Sequence, residues 1–446
     1  MGDAGPLQES STLRVAIVGG GPAGLGAAIA LSALPNIQVS LFEQAKELRE
    51  IGAGIRIGYN CWRVLELLGA AEDVKGHHKT SIIHRNGLTG ELVKQTGPVD
   101  LPLRYQPRRV RRTRLQSALR AQVAPGIIQL NKRLLSLEDL GDSGVRLTFQ
   151  DGTIAEADLV VGSDGIRSVV RDHIFPEHKI RFTGTTIWRV IIPVSKISNV
   201  PELTVSTSWW HGPSGHVYHS FVDDPDETPE EERYIEIAAR NVVDPATVTG
   251  KTFSWGIPAT NERVQSHFED YDARIREFLA QVPEGQWKEF AAFAGPRLDR
   301  LTGWDKVVLL GDASHPLSGA FGSGAAFALE DGWILARTIE HAYAQGGATS
   351  TSQPLSKALD VFDRIRSPYY SRMYQYLDGL KQKTSRPKDS NATFASTLKS
   401  RIEAFGGEEA LPWIYRNDIE GVWRDFVLAE QAEAPQVSPA GEAVSG

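Results

Sequence analysis

The sequence predicts an α/β fold in which a parallel sheet wound with helices carries a second, mixed sheet and a C-terminal set of helices. Three observations predict it. Near the start, "RVAIVGG" (Arg14 to Gly20), the helix-like "PAGLGAAIALSAL" and "IQVSLFEQ" read as strand, helix, strand. From Arg181 to about Pro258 the segments "TTIWRVIIPV", "TVSTSWWHG", "HVYHSFV" and "RYIEIAAR" alternate, are rich in aromatics and are separated by turn residues. They read as an antiparallel sheet with one covered face. Beyond the buried-strand pattern of "KVVLLGDASHP", long helical segments run through Trp423.

A chain of 446 residues is longer than a single hydrophobic core supports, so two domains are expected. A hydrophobic content of 41% with 23% charged residues is that of an ordinary folded protein, and the net charge of −7 argues against nucleic acid or an anionic membrane as partner. The single cysteine, Cys61, excludes an internal disulfide and a cysteine metal cluster, fits a reducing compartment and reads as a buried structural thiol. No stretch approaches the ~20 apolar residues of a membrane span, and "MGDAGPLQESST" lacks a signal-peptide core, so a cytoplasmic protein is expected. The polar ends, residues 1–12 and 431–446, read as disordered tails.

Taken in order, the elements carry chemistry. "GGGPAG" sets Gly19, Gly21 and Gly24 in a G-x-G-x-x-G spacing between the first strand and the first helix. One glycine serves the tight turn, one the close approach of a pyrophosphate to the backbone, and one the packing of helix on strand. Glu43 ends the next strand, 19 residues after Gly24, where a carboxylate would accept from a ribose and repel a 2′-phosphate; the site therefore suits NAD or FAD and not NADP. "VRLTFQDGTIAEADLVVGSDG" reads as a hairpin turning at Asp151-Gly152 and then a strand to Gly162. Arg189 stands in an otherwise apolar strand, and an unpartnered buried guanidinium is costly, so it should face a carboxylate, a substrate anion or solvent at a domain junction. On the neighbouring strand His216, Tyr218 and Ser220 alternate onto one face. The arginine-rich "RRVRRTR" is interrupted by Val110 and followed by Leu115, as a helix entering the core would be.

"GDASHPLSGAFGSGAAFALED" (Gly311 to Asp331) poses a choice between a hydrolytic Asp/Ser/His set and a glycine-rich phosphate cradle. Ser314 and His315 are neighbours whose side chains are expected to diverge, and no G-x-S-x-G elbow surrounds the serine, so the cradle is favoured.

Together with "GGGPAG", the segments "EIGAGIRIGYN", "RRTRLQSAL", "ADLVVGSDGIRSVVR" and "VVLLGDASHPLSGAFGSGAAFALEDGWILA" resemble, in order and spacing, the signatures of the class A flavoprotein aromatic hydroxylases, the family of salicylate hydroxylase and para-hydroxybenzoate hydroxylase. The resemblance spans roughly Arg14 to Ser367. It implies a para-hydroxybenzoate hydroxylase-like architecture: a discontinuous Rossmann-type FAD-binding domain over 13–75, 105–180 and 295–345, a substrate domain over 76–104 and 181–294, and C-terminal helices over 346–430. It implies non-covalent FAD held by Gly19, Gly21, Ala23, Gly24, Glu43, Gly54, Arg112, Asp164, Asp312, Gly322, Gly324 and Ala325, with Ser314 and His315 as cradle residues. It further implies hydroxylation of a phenolic small molecule with O₂ and NADPH or NADH through a flavin C4a-hydroperoxide, with no metal. Arg189 resembles an arginine that holds the substrate phenolate in fungal relatives; Tyr218 and His216 are its candidate helpers. Two positions depart from the family, Gly319 and Tyr59 standing where proline is common. A flavin epoxidase or Baeyer–Villiger enzyme is the alternative on the same fold; a flavin dehydrogenase and a prenyl carrier are readings of other classes. A monomer or homodimer is expected.

Overall fold

The structure, a computed structural model, describes residues 12–48, 53–79, 81–197, 206–248, 254–317, 319–345, 352–384, 393–404 and 411–433, with Val200 and Leu203. The expected tails lie outside these residues except at their inner ends. There one expectation is corrected: the final helix, Ile419–Glu433, continues three residues into the stretch read as a tail.

The first sheet has six strands in the order Thr302–Gly303, Val307–Leu309, Leu159–Gly162, Leu13–Val18, Ile37–Phe42 and Ile128–Gln129, all parallel except the outermost pair at Thr302–Gly303. Its strands are apolar at nearly every position because both faces are covered. Leu13, Val15, Ile17, Leu159 and Val161 pack on one side with the helices Pro22–Ser32 and Gly324–Gln345. Ala16, Val18, Val160 and Leu309 pack on the other with Leu147 and Phe149. The hairpin expected at Asp151-Gly152 belongs to this second cover: Val145–Phe149 pairs with Ile154–Ala157, and Gly152 takes the positive φ (80°) of its turn.

Two glycines bring the covering helices together. A Cβ on Gly26 would sit 2.8 Å from the Leu329 side chain, and one on Gly332 would sit 2.6 Å from the Ala27 backbone nitrogen. The contacts advance together along both helices, so the helices run parallel and their N-termini lie at the same end. Further along the chain Ser352–Thr384 packs on Gly324–Gln345.

The second sheet has eight strands, ordered Trp255–Pro258, Lys288–Ala294, Arg181–Pro193, Tyr234–Val242, Gly215–Phe221, Thr207–His211, Ile82–Asn86 and Leu92–Thr96. It is mixed, because Thr207–His211 pairs with Ile82–Asn86 in parallel. One face carries Trp188, Val190, Ile192, Trp210, Val217, Ile235 and Ile237 and is covered by Phe268, Ile275, Phe278 and Leu279, which the period-2 pattern anticipates. Each large side chain so buried contributes about 1.5–3 kcal/mol. The opposite face carries Arg189, Tyr218 and Glu236. It meets the first sheet through a small sheet in which Gly54–Ile57 and His77–His78 flank Arg108–Arg111.

His219 lies on the covered face, fully buried, its Nε2 accepting from Trp210 Nε1 at 3.4 Å. Burial pushes its pKa down to about 3. The unfolded chain binds this proton below about pH 6.5 and the folded chain does not, so stability falls as pH falls, by about 1.4 kcal/mol per pH unit from this group. His77, His84 and His315 are depressed by burial in the same way, so urea unfolding at pH 7 and pH 5.5 is expected to show a larger total loss, and His219→Gln to reduce it by about 1 kcal/mol; an unchanged loss in the variant would remove His219 from the effect. No helix among the described residues is long and apolar enough to cross a membrane.

Candidate active site

The Leu13–Val18 strand ends at the first glycine cluster. A Cβ on Gly24 would lie 1.9 Å from the Gly19 carbonyl oxygen, so only glycine lets the helix Pro22–Ser32 start this close to the strand. Gly21 faces open space, with nothing within 4 Å of where a Cβ would stand, and Ala23 is buried in the first helical turn. Glu43 accepts from the Gly20 N–H at 2.7 Å and the Ala45 N–H at 2.8 Å. It fixes the glycine loop from below, and its remaining lone pairs can take a ribose hydroxyl.

The second glycine cluster stands at the same end. Gly311 turns with φ 58°, its Cα packed between Ala23 and Ala328, and the Gly311–Ala313 turn leaves Asp312 exposed beside Gly322 and Gly324. A Cβ on Gly322 or Gly324 would meet nothing, while Ala325 is buried. Two parallel helices therefore aim their N-terminal N–H groups and positive dipole ends at one open region lined by glycine. Although its side chain is exposed, the protein packed around Asp312 displaces enough water to push its carboxyl up in pKa, opposed by the nearby Arg112 and Arg171. Arg112 opens the helix Arg112–Ala121, its N–H donating to Ala53 O. The run "RRVRRTR" thus begins as the strand Arg108–Arg111 and becomes helical only at Arg112. Gly319 takes φ 70°, a conformation closed to proline, so the turn here differs from one built on the proline common at this position.

The structure corrects one reading outright. Ser314 and His315 do not diverge: Ser314 Oγ and His315 Nδ1 lie 2.6 Å apart, brought together by the turn. Both are buried, and Ser314 Oγ also donates to Gly311 O at 2.9 Å, so the pair braces the turn where no substrate reaches it. Asp164, half-buried, is engaged by the helix that follows its motif. Its Oδ2 accepts from the Val169 and Val170 N–H groups and its Oδ1 from Ser168 Oγ, capping the helix Val169–Ile174.

Two buried arginines were given no role by sequence reasoning. Arg171 joins the two motif loops by donating to Ala313 O at 3.1 Å and Ile166 O at 2.7 Å. Arg366, from the Ser352–Thr384 helix, donates to Asp331 Oδ1 at 2.7 Å and Glu330 Oε2 at 3.2 Å; Asp331 Oδ2 in turn holds the Gly311 N–H at 2.9 Å. Tyr370 donates to Asp331 and stacks on His315 with ring centroids 3.8 Å apart.

Facing this cradle is the open face of the eight-stranded sheet. Arg189 lies opposite Ala238, and Ala238 opposite Tyr218, so Arg189 and Tyr218 share the face across a gap left by alanine. His216 lies on it too, one row along, as alternation requires. Glu236, fully buried, accepts from Gly54 N at 2.9 Å and from Arg109 Nε at 2.6 Å, and pairs with the Arg109 Nη2. A side chain at Gly54 would displace that carboxylate, since a Cβ would come within 2.3 Å of Glu236 Oε2. The sequence signal for this pair was available, a lone acid in "RYIEIAAR" and an arginine in "RRVRR". Arg109 also stands 5.2 Å over the Tyr218 ring. Arg189 Nε has no hydrogen-bond partner among the described residues. Burial brings its pKa down to about 10, so it stays cationic at pH 7. Tyr218 is pushed up by burial and stays protonated.

The fold and the doubled glycine cradle define a dinucleotide-binding α/β protein. The chain belongs to the family described as FAD binding domain, whose model matches residues 12–352. It is 28% identical over 347 residues to a 6-hydroxynicotinate 3-monooxygenase of Bordetella bronchiseptica, covering 76% of this chain and 85% of that protein. It is 29% identical over 355 residues to the 6-methylsalicylate 1-monooxygenase atA of Aspergillus terreus, covering 74% and 75%. Among solved structures, CtdE in complex with FAD and a substrate superposes with a TM-score of 0.77 at 21% identity, covering 94% of this chain and 99% of that one. A salicylate hydroxylase substrate complex superposes at 0.71 and 21%, covering 97% and 100%. The fold is therefore that of the FAD-dependent hydroxylases, as the sequence predicts, and the protein is a flavoprotein.

Proposed function

We propose that the protein is an FAD-dependent monooxygenase that hydroxylates a phenolic or related aromatic small molecule, with NADPH or NADH as reductant and O₂ as co-substrate. The observation that carries this reading is Arg189, a cation whose Nε has no partner among the described residues, across a one-alanine gap from Tyr218, on the sheet face turned to the flavin cradle. The family membership and the activities in the names of its relatives support it.

FAD fits the residues present. Its pyrophosphate would lie against the open N-termini at Gly21 and Gly322–Ala325, with Gly19 and Gly24 shaping the turn, Glu43 at the adenosine ribose, and Asp312 and Arg112 along the chain between. Gly54 lies between the flavin side and the substrate side. Asp164 acts through the helix it caps.

When bound, FAD supplies the two-electron reduction and the activation of O₂; the chain's own residues prepare the aromatic ring. Glu236 neutralises Arg109, so Arg189 is left as the charge available to a substrate anion. At about 4 Å and an effective dielectric near 20, such a pair gains about 4 kcal/mol, enough to hold a phenol ionised near neutral pH. The ionised ring is richer in electrons at its ortho and para carbons. Tyr218 keeps its proton and can donate it in a hydrogen bond to the same oxygen; His216 sits one row away and serves the pocket wall. Around Arg189 the face is buried, with Ala238, Tyr218 and Glu236 all at or below 9% exposure, which limits the water that reaches a bound ring.

A panel of phenols and hydroxypyridines is expected to contain members that raise NAD(P)H oxidation at least tenfold, with one oxygen atom from O₂ in the product. Stimulated oxidation that releases only hydrogen peroxide with every aromatic tested, alongside oxygen insertion into an alkene or ketone, would favour an epoxidase or Baeyer–Villiger activity. Asp312→Ala is expected to lose most of its FAD while the apoprotein melts within about 2 °C of wild type, because an exposed loop carboxylate contributes little to the core. Full flavin content in this variant would remove Asp312 from the site.

A further inference from the structure

The face that holds Arg189 continues well past the reacting ring. In the ladders, Arg189 is opposite Ala238, Ala238 opposite Tyr218, Tyr218 opposite Trp209, and Trp209 beside His84. Directly paired residues project to the same side, so five adjacent strands present one row of side chains. Four steps between strands span roughly 19 Å, several times what one phenolic ring covers.

The far part of the row is aromatic and ordered. Trp209 lies 4.6 Å from the Tyr218 ring and nearly parallel to His211, at 6.2 Å and 12°. His211 is in turn stacked on His84, at 5.3 Å and 11°, with His84 Nδ1 and His211 Nε2 hydrogen-bonded at 3.0 Å. Burial brings the His84 pKa down to about 4, so its ring is uncharged at neutral pH and offers an apolar face. Trp209, His211 and His84 are half-buried, while Tyr218 is buried. The sheet's packed core lies on the opposite face, around Trp188 and Trp210, so packing does not account for a half-exposed tryptophan stacked beside two histidines here.

We propose that Trp209, His211 and His84 form an aromatic platform that binds a second aryl or heteroaryl ring of the substrate, making this enzyme selective for phenols extended by at least one further ring. The inference rests on Arg189 anchoring the phenol oxygen. With that end fixed and the reacting ring over Ala238, a further ring extends along the row over Tyr218 and onto Trp209. Stacking there needs no polar match, so the platform accepts either carbocycles or heterocycles.

The test measures dissociation constants of phenol and of 4-hydroxybiphenyl on the FAD-loaded enzyme by perturbation of the flavin spectrum. Wild type is expected to bind 4-hydroxybiphenyl at least tenfold more tightly than phenol. W209A is expected to bring that ratio to within threefold of one, and W209F to keep most of it, with flavin content and melting temperature reporting the fold of each variant. A ratio near one in wild type overturns the platform. So does a wild-type ratio that survives W209A, which is the result if a segment of this chain or the nicotinamide covers Trp209 instead. Failure of the anchor shows separately: R189Q leaving both dissociation constants unchanged would overturn the Arg189 reading, while the W209A ratio still decides the platform.

Discussion

Arg189→Gln is expected to retain its FAD and its slow reduction by NAD(P)H without substrate, yet to lose substrate-stimulated turnover by about two to four orders of magnitude. That corresponds to the ~3–5 kcal/mol associated with removing the partner of a desolvated charge. The competing role, an interdomain ion pair, predicts the reverse: a lower melting temperature, loosened flavin and near-normal turnover in whatever remains folded. The geometry disfavours it, because the carboxylate on this face, Glu236, is taken by Arg109 and the Gly54 N–H. Melting temperature, flavin occupancy and turnover per bound flavin, measured on one preparation, separate the two. Normal turnover per flavin ends the catalytic assignment.

Arg366→Leu is expected to be strongly destabilising. Arg366 is 1% exposed and sits between Asp331 and Glu330, both fully buried. Removing it leaves two carboxylates in a site without a compensating cation, a loss of about 3–5 kcal/mol that lowers the melting temperature by roughly 10 °C. The damage also reaches the cofactor, since Asp331 holds the Gly311 N–H at the turn that presents Asp312. The triple variant E330Q/D331N/R366L separates charge from packing. If uncompensated charge is the cause, the triple variant recovers much of the stability; a triple variant no better than the single one would mean that lost packing around Tyr370 is responsible.

Much of this was legible in the sequence, and the reasons differ by element. The glycine clusters were readable because close approach of helix and strand at Gly24 leaves no other residue possible. The open face of the second sheet was readable because a two-residue period puts His216, Tyr218 and Ser220 together whatever their neighbours are. Which strand lies beside which was not readable. Arg181–Pro193 pairs with Tyr234–Val242, skipping two strands between them in the chain, and only that order brings Glu236 to Arg109 and Trp209 into the row with Arg189. That Asp164 also holds the start of the helix Val169–Ile174 was not readable from its motif. Ser314 and His315 were misjudged because alternation governs extended chain, and a tight turn follows different geometry.

The parallel helices Pro22–Ser32 and Gly324–Gln345 have a consequence for how the protein is made. One comes from the start of the chain and the other from well past its middle, and the cradle exists only once both have emerged and packed through Gly26 and Gly332. A nascent chain carries the first glycine motif long before its partner is synthesised, so the early strands must wait without the ligand that would stabilise them. With so many contacts between distant parts of the sequence, folding is expected to be slow, and FAD present during refolding is expected to raise the recovery of native protein by stabilising the cradle once it forms.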